Sequence, residues 1–267
     1  MESPQLSDMD YHTAKALLEW QVEFGVDEAI CERPVNRFEI KPEPKKVKAP
    51  AAMPVSESVV NAGVAPVQPE VDGAALARDA AMHAQDIAAL KAALAGFEAC
   101  ELKRGARNLV FADGVVGSRV MIIGEAPSRE EDRDGKPFVG ETGLLLDNML
   151  KAIGLARSES VYLTNVLPWR LPRSGDVSAQ NIAMMLPFLE RHVALAKPEV
   201  LVLMGNIACQ AVLGKRGITR MRGQWGEAMG LPVLPMFHPE YLLSNPLKKR
   251  EAWSDLLALK AKLEGAE

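Results

Sequence analysis

The chain has 267 residues and a hydrophobic fraction of 48%, which is enough to bury the core of one large domain, or of one domain with appendages. No apolar run is long enough to cross a bilayer, and the N-terminus has no signal-peptide pattern, so we expect a cytoplasmic protein. Its three cysteines have no paired spacing, which argues against a disulfide framework and agrees with a reducing compartment.

The net charge of −4 is unevenly distributed along the chain. Residues 1–100 have a net charge of −7, whereas residues 101–267 hold 22 basic against 19 acidic side chains, a net charge of +3. A mildly basic C-terminal part is compatible with a local patch that binds nucleic acid, but the charge balance does not by itself require one.

The first part of the chain has the pattern of an appendage followed by a linker. Apolar residues at helical spacing predict a helix over residues 9–31, which is too short to bury a core, so residues 1–34 are expected to form a helical appendage. Residues 35–75 are rich in Pro, Ala, Val, Lys and Glu without periodicity, which is typical of a disordered linker. Residues 73–96 are Ala-rich and favour a helix that ends at Gly96, and the catalytic domain is predicted to span residues 76–267.

From Cys100 onward, short apolar runs alternate with helical segments. Each run predicted to be a strand is followed by a polar or glycine-containing turn, and these runs are Arg119–Ile123, Val161–Asn165, Val200–Met204 and Val233–Met236. The segments predicted to be helical lie near residues 143–153, 178–196, 206–213 and 247–263. Strands that alternate with helices favour a mainly parallel sheet covered on both faces, so the fold class is α/β.

Polar residues follow the ends of the predicted strands. The first strand leads into a carboxylate-rich loop from Glu125 to Phe138, the second ends at Asn165, and the last two lead into Gly205–Asn206 and His238. Because parallel strands all end at one edge of a sheet, we expect carboxylates, an aromatic ring, an amide and an imidazole to meet in one crevice. Such a set suits chemistry on a flat, polar heterocycle better than binding of a phosphate.

Five ordered stretches carry a resemblance to a known family. They are GEAPSREEDRDGKPFVG, TNVLPWR, LVLMGNIACQAVLG, RMRGQW and HPEYLLSNP, and they cover most of the C-terminal two-thirds of the chain. Residues 100–257 resemble the family 4 uracil-DNA glycosylases, a branch of the uracil glycosylase superfamily. The resemblance implies a three-layer α/β/α sandwich around a central four-stranded, mainly parallel sheet. It also implies a DNA repair enzyme that excises uracil hydrolytically and leaves an abasic site.

The resemblance further implies which residues bind the base. Phe138 would stack on the base after it is flipped out of the helix, and Asn165 would pair with the O4 and N3–H edge of uracil. Ala126 is expected to line the same pocket. It stands where other branches of the superfamily carry an aspartate, and alanine cannot act as a base.

Three residues are predicted to carry the chemistry. His238 is expected to donate a hydrogen bond to uracil O2, where negative charge develops as the glycosidic bond breaks. Glu125 and Glu131 match carboxylates of the family's motif, and one of them is expected to position water or stabilise the cationic sugar. The sequence leaves open which of the two does so.

Two stretches are expected to contact DNA. HPEYLLSNP resembles the family's DNA-inserting loop, in which Tyr241, Leu242 and Leu243 would enter the duplex and one leucine would fill the space of the flipped base. Arg220 and Arg222 in RMRGQW are predicted to contact phosphates.

The sequence departs from the family at the cofactor. Family 4 enzymes bind a 4Fe–4S cluster through four cysteines, and the matching positions here are Phe97, Cys100, Trp169 and Met185. Because a cluster needs thiolate ligands and one cysteine remains, we expect no cofactor and no metal. In addition, Ser128 stands where the family usually has glycine, and we expect it to reshape the loop.

Two other functions stay open at this point. In the first, the domain acts on another deaminated base such as hypoxanthine, since Asn165 alone does not determine the substrate. In the second, it binds DNA or a replication protein without catalysis. The expected partners are uracil-containing DNA and a replication or repair protein bound by the N-terminal arm. There, residues 5–9 faintly resemble peptides that bind bacterial sliding clamps. No membrane partner is expected, and the protein is expected to be a monomer.

Overall fold

A computed structural model describes Lys15, residues 73–172 and residues 177–265. Apart from Lys15, the predicted appendage lies outside the described residues, as does the predicted linker up to residue 72. A helix begins at Gly73, so the linker boundary predicted at residue 75 falls inside a helix. The Ala-rich segment is divided into two helices by a turn at residues 84–86, and the second ends at Gly96 as predicted.

The described residues contain six strands, which in chain order are β1 Ala112–Gly114, β2 Val120–Gly124, β3 Val161–Asn165, β4 Val200–Met204, β5 Gly226–Ala228 and β6 Leu231–Met236. They form one sheet in the order β1-β3-β2-β4-β6-β5. The four central strands are parallel to their neighbours, as the alternation of strands and helices predicted. All residues of β2, β3 and β4 are buried, because both faces of the sheet are covered.

The sheet has two more strands than predicted. β1 and β5 are only three residues long and are antiparallel to β3 and β6, respectively. Neither has the apolar run that marks the central strands, so their sequences carry no strong strand signal. β6 begins two residues before its predicted start, since Leu231 and Pro232 pair with β5.

The helices of the described residues are, in chain order, α1 Gly73–His83, α2 Ile87–Gly96, α3 Leu102–Gly105, α4 Arg129–Asp134, α5 Gly140–Ala152, α6 Ala179–Ala196, α7 Asn206–Leu213, α8 Ile218–Met221, α9 Pro239–Ser244 and α10 Lys249–Leu263, with a 3₁₀ turn at Pro246–Lys248. α6 packs against α1, α2 and α7, while α5 packs against α9 and α10. These two helical layers enclose the sheet in an α/β/α sandwich. No helix in the described ranges is long and apolar enough to cross a membrane.

The carboxyl ends of the parallel strands lie side by side. Gly124, the last residue of β2, is directly opposite Asn165, the last residue of β3. After β4, the Gly205 N–H donates a hydrogen bond to the carbonyl oxygen of Met236 at the end of β6, at 3.1 Å. The segments that follow all four strands therefore start from one edge of the sheet.

Candidate active site

The loop after β2 is organised by a capped helix start. The Ser128 hydroxyl accepts a hydrogen bond from the Glu131 N–H at 3.2 Å, and the Glu131 carboxylate accepts one from the Ser128 N–H at 2.6 Å. Each side chain thus satisfies a backbone donor at the start of α4, which is the reciprocal arrangement called a capping box. The pattern of a serine followed three residues later by a glutamate is the sequence signal for this cap, and the expected reshaping of the loop by Ser128 stays a prediction.

Glu131 also holds the two residues predicted to bind the base. Its Oε1 accepts a hydrogen bond from the backbone N–H of Phe138 and one from the Asn165 side-chain amide at 3.4 Å. Glu131 is only 6% exposed, and both carboxylate oxygens accept from protein donors. This arrangement favours a positioning role for Glu131 over direct activation of water.

The contact with Glu131 determines how the Asn165 amide is oriented. Its nitrogen faces the carboxylate, so its Oδ1 lies over Gly124, where a Cβ on that glycine would be only 2.3 Å from Oδ1. The same Cβ would be 2.7 Å from the Phe138 ring. Gly124 is therefore required for this arrangement of Asn165 and Phe138, although the sequence reasoning did not single it out. Its position directly after an apolar strand is the available signal.

Phe138 is held in an uncommon backbone conformation. Its φ is +52°, a backbone angle that residues other than glycine rarely adopt, and its side chain is buried. Arg157 donates a hydrogen bond to the Phe138 carbonyl at 2.8 Å and another to Asp113 at 3.0 Å, which ties the turn to strand β1. The sequence reasoning missed Arg157, because a contact across 19 residues leaves no local pattern.

His238 caps the start of α9 with its ring. Nδ1 accepts a hydrogen bond from the Glu240 N–H at 3.3 Å, so the proton of the neutral imidazole is on Nε2. Burial lowers the pKa of His238 to about 4, which keeps the ring neutral at pH 7. The ring centroid is 5.5 Å from that of Phe138, at an interplanar angle of 26°. His238 is therefore a neutral donor beside the aromatic wall.

The side chain of Glu125, which follows β2, lies beside the first residues of helix α7. Its Oε1 accepts a hydrogen bond from the Ile207 N–H at 2.8 Å, and the residue is only partly exposed. Burial raises the pKa of Glu125, and the backbone N–H groups of Ile207 and Asn206 partly oppose that shift. Gly205 has a φ of +102°, and a Cβ there would be 2.4 Å from Glu125 Oε1, so the carboxylate needs a glycine beside it.

The residues predicted to insert into DNA are not equally available. Leu242 is fully buried in the core, so the prediction that it contacts DNA is wrong in this conformation. Tyr241 is 40% exposed and packs against Phe237, and Leu243 is partly exposed. Helix α9 turns successive side chains to different faces, and a six-residue helix has too little periodicity to show which face is buried. Ala126 is partly buried and packs against the core.

The two arginines of RMRGQW also differ. Arg222 forms an ion pair with the buried Asp255, donates to the carbonyl of Glu251 at 2.8 Å, and lies over the Phe237 ring. Its side chain is only 18% exposed, so the prediction that it contacts phosphates is corrected to a structural link between α8, α10 and the end of β6. Arg220 is exposed and stays a candidate.

A buried aromatic ring, an amide of defined orientation and a neutral imidazole thus lie together at one edge of an α/β sheet. The chain belongs to the uracil DNA glycosylase superfamily, whose family model matches residues 111–257.

Curated relatives place the chain beside one branch of that superfamily. It is 37% identical over 150 residues to a type-4 uracil-DNA glycosylase of Thermotoga maritima, a match that covers 55% of this chain and 78% of the relative. It is 35% identical over 167 residues to a type-4 enzyme of Archaeoglobus fulgidus, covering 58% and 82%, respectively. A type-4 enzyme of Pyrobaculum aerophilum is 30% identical over 180 residues, covering 64% and 91%.

These relatives contradict the expectation that the protein has no cofactor. Type-4 uracil-DNA glycosylases carry a 4Fe–4S cluster, and the chain is similar to several of them, so the prediction is wrong on this comparison. The four matching positions nevertheless fit a cluster poorly. Phe97, Trp169 and Met185 are buried and lack thiolates, which leaves Cys100 as the one thiol among them. In the part of the chain that the structure describes, no group of three His, Cys, Asp or Glu side chains is placed to hold a metal.

Proposed function

We propose that the protein is a uracil-DNA glycosylase that flips uracil out of DNA and hydrolyses its N-glycosidic bond, leaving an abasic site for base excision repair. The observation that carries the proposal is the Phe138, Asn165 and His238 set at one sheet edge, with Asn165 oriented by Glu131. Family membership supports it, because the matched relatives are named for this activity.

Recognition of uracil rests on Asn165. Its Nδ2 keeps one hydrogen for uracil O4 while the other faces Glu131, and its Oδ1 accepts from N3–H. Cytosine presents an amino donor and an unprotonated N3 at the same edge, so both contacts would be mismatched. A site that leaves buried polar groups unpaired rejects the wrong base strongly. Stacking on Phe138 contributes roughly 1–3 kcal/mol, which offsets the cost of unstacking the base.

Bond cleavage rests on His238 and Glu125. As the bond between C1′ and N1 breaks, its electron pair moves onto uracil and charge develops at O2, where the neutral Nε2–H of His238 donates. Water then adds to C1′ of the cationic sugar and loses one proton, which neutralises the departing uracil anion. We assign Glu125 to orient that water or stabilise the sugar, and Glu131 to position Phe138 and Asn165, since the Glu131 oxygens are occupied.

The contacts with DNA and with other proteins are proposals of the same kind. Leu243 and Tyr241 are the members of the α9 loop that are accessible for insertion, and Arg220 is accessible to a phosphate. Binding of a replication or repair protein by the N-terminal arm, a monomeric state and a cytoplasmic location remain predictions from the sequence.

An incision assay tests the activity. Single- and double-stranded oligonucleotides with uracil, hypoxanthine or a thymine mismatch are incubated with the protein, and abasic sites are cleaved with alkali. We expect product from uracil alone, with loss of about 100-fold or more in Asn165→Asp and His238→Ala. In Asn165→Asp a second carboxylate would face Glu131, so a melting curve must accompany that variant.

Each other outcome contradicts the proposal in a distinct way. Product from hypoxanthine at a rate comparable to that from uracil would contradict a site restricted to uracil, and product from hypoxanthine alone would replace uracil as the substrate. No product from any base, by a protein that still binds these oligonucleotides, would leave a DNA-binding module. Full activity in His238→Ala would remove the imidazole from the mechanism.

A further inference from the structure

A second charged feature lies beside helix α4, outside the base pocket. Five arginines line a surface cavity of about 590 Å³, and we call it the arginine groove: Arg104, Arg107, Arg129, Arg133 and Arg170. They come from three separate segments, namely the α3 region, α4 and the chain after β3. None of them was predicted to bind DNA from the sequence, because no two are adjacent in the chain.

Asp132 fixes the three segments of the groove to one another. Its buried carboxylate accepts hydrogen bonds from the backbone N–H groups of Arg107 at 2.7 Å and Asn108 at 3.2 Å, and from Arg170 Nε at 3.2 Å. The Asn108 amide donates back to the Asp132 carbonyl at 2.8 Å. The arginines are therefore carried by a braced scaffold, although most of their side chains extend into solvent.

The groove contains more cationic than anionic side chains, with five arginines against the carboxylates of Glu130 and Asp132. Arg104, Arg107 and Arg129 are exposed and form no ion pair with any residue in the described ranges. Arg133 is paired with Asp134, and Arg170 with Asp132. The lining therefore keeps a net positive charge, which an external anion would neutralise.

The chemistry of the groove suits phosphate. Guanidinium groups match phosphate oxygens with two parallel hydrogen bonds, and all the cations here are arginine. The chain as a whole has a charge of −4, so a polyanion must be attracted by a local patch rather than by the net charge. The groove is linked to the candidate active site, since Arg170 donates to Asp132, and the preceding residue, Glu131, accepts from Phe138 and Asn165.

We propose that the arginine groove binds backbone phosphates of the DNA strand next to the flipped nucleotide. The identity of the ligand rests on the proposed function, whereas the presence of an anion site rests on the groove alone. In this arrangement α4 contributes to two sites. Glu131 positions Phe138 and Asn165 for the base, while Asp132 positions the groove whose arginines bind the strand.

Salt-dependent binding of DNA that lacks uracil tests the groove separately from catalysis. The full chain and the double variant Arg104→Gln/Arg107→Gln are titrated into a fluorescent oligonucleotide at about 50 to 300 mM KCl. The matched control is Lys151→Gln/Lys197→Gln, which removes the same charge from exposed residues that precede strands β3 and β4 and so belong to the opposite edge of the sheet. Single-turnover uracil excision is measured in parallel at enzyme concentrations up to saturation.

We expect the groove variant to bind at least about tenfold more weakly, and the slope of log K against log salt to decrease by roughly 1.4 to 1.8. The control should bind DNA and excise uracil like the unchanged protein, whereas the groove variant should need at least about tenfold more enzyme to reach its maximal single-turnover rate. Equal loss of binding in both variants, or no loss in either, would contradict the proposal that the arginine groove binds DNA phosphates. If the unchanged protein excises no uracil but the groove variant still loses binding, the proposed function fails and the groove stands.

Discussion

At the scale of single residues, the two carboxylates of the loop after β2 have different surroundings. Glu131 is buried and accepts hydrogen bonds through both oxygens, whereas Glu125 is partly exposed and meets the N-terminus of α7. The sequence presents them as equivalent acidic residues six positions apart. Only their partners separate a residue that shapes the pocket from one that can act on the sugar or water.

Glutamine at each position separates these roles. Glu125→Gln keeps an oxygen for the Ile207 N–H, so we expect an unchanged melting temperature. The rate of excision should fall by up to about 100-fold. Glu131→Gln turns an amide donor towards backbone donors, so we expect a loss of about 1–3 kcal/mol in the free energy of unfolding and weaker binding of uracil. Melting curves and single-turnover rates measure both effects. Full excision by both variants would remove both carboxylates from the site.

The pH dependence of excision tests the neutral state of His238. With its pKa at about 4, the ring stays neutral through the physiological range, and Nε2 remains the donor. We therefore expect no His238 titration in the single-turnover rate between about pH 5.5 and 8. His238→Ala should lower the whole profile by about 100-fold or more without changing its shape. A titration near pH 6.5 that is present in the unchanged protein and absent from the variant would contradict this.

At the scale of elements, the junction between β4 and α7 shows why a strand end becomes part of a site. Gly205 turns the chain with a φ of +102°, and this brings the first N–H groups of α7 towards Glu125. A Cβ would occupy the position of the carboxylate, so the turn and the site depend on the same glycine.

Two alanine variants distinguish backbone strain from this clash. Gly217 has a φ of +115° with open space around its missing Cβ, while Gly205 has a similar φ beside Glu125. Both variants should lose about 1–3 kcal/mol in the free energy of unfolding, since alanine is strained in this region of φ. Only Gly205→Ala should also lower excision, because it displaces Glu125. Equal excision by the two variants would show that this clash has no functional consequence.

Helix α9 offers a second comparison within one element. Leu242→Ala should lower the free energy of unfolding by about 2–5 kcal/mol, since that side chain is fully buried. Leu243→Ala should leave stability nearly unchanged and lower excision from duplex DNA more than from single-stranded DNA, where no vacated space needs filling. Urea unfolding and the ratio of the two excision rates measure this. An unchanged ratio would exclude Leu243 as the inserting residue.

At the scale of the whole molecule, two histidines with lowered pKa values link stability to pH. His192 lies in the core, stacked on Phe111 and hydrogen-bonded to Tyr162 at 2.9 Å, and burial lowers its pKa to about 4. His238 has the same pKa. In the unfolded chain each would titrate near its ordinary value of 6.5, so the unfolded state binds protons that the native state does not.

The stabilisation is therefore complete above about pH 6.5 and is lost as the pH falls towards 4. Each histidine lowers the free energy of unfolding by up to about 1.4 kcal/mol per pH unit in that window. Urea unfolding between about pH 4.5 and 7.5 should show this loss, and His192→Gln should reduce its slope by up to half. An equal slope in the variant would mean that His192 does not contribute. The raised pKa of Glu125 acts in the opposite direction, which makes the histidine variant the decisive comparison.

Much of the fold follows from local pattern. The central strands and α2, α6 and α7 are near their predicted positions, because apolar runs and 3.6-residue periodicity act over short stretches of chain. The shared edge of Glu125, Asn165 and His238 also follows, since parallel strands all end on one side of a sheet. The short β1 and β5 could not be predicted, because three residues carry no apolar pattern. These segments form strands only by pairing with β3 and β6.

What the sequence by itself determined is the order of strands and helices, the family and the residues gathered at one sheet edge. What only the tertiary structure decided is the partner of each side chain. Arg222 forms an ion pair with Asp255, and Leu242 is buried in the core. Glu131 accepts hydrogen bonds from Phe138 and Asn165. The arginine groove, too, exists only once three distant segments meet. Propensity and periodicity act between near neighbours in the chain, whereas hydrogen bonds, ion pairs and burial at this site join residues far apart in sequence.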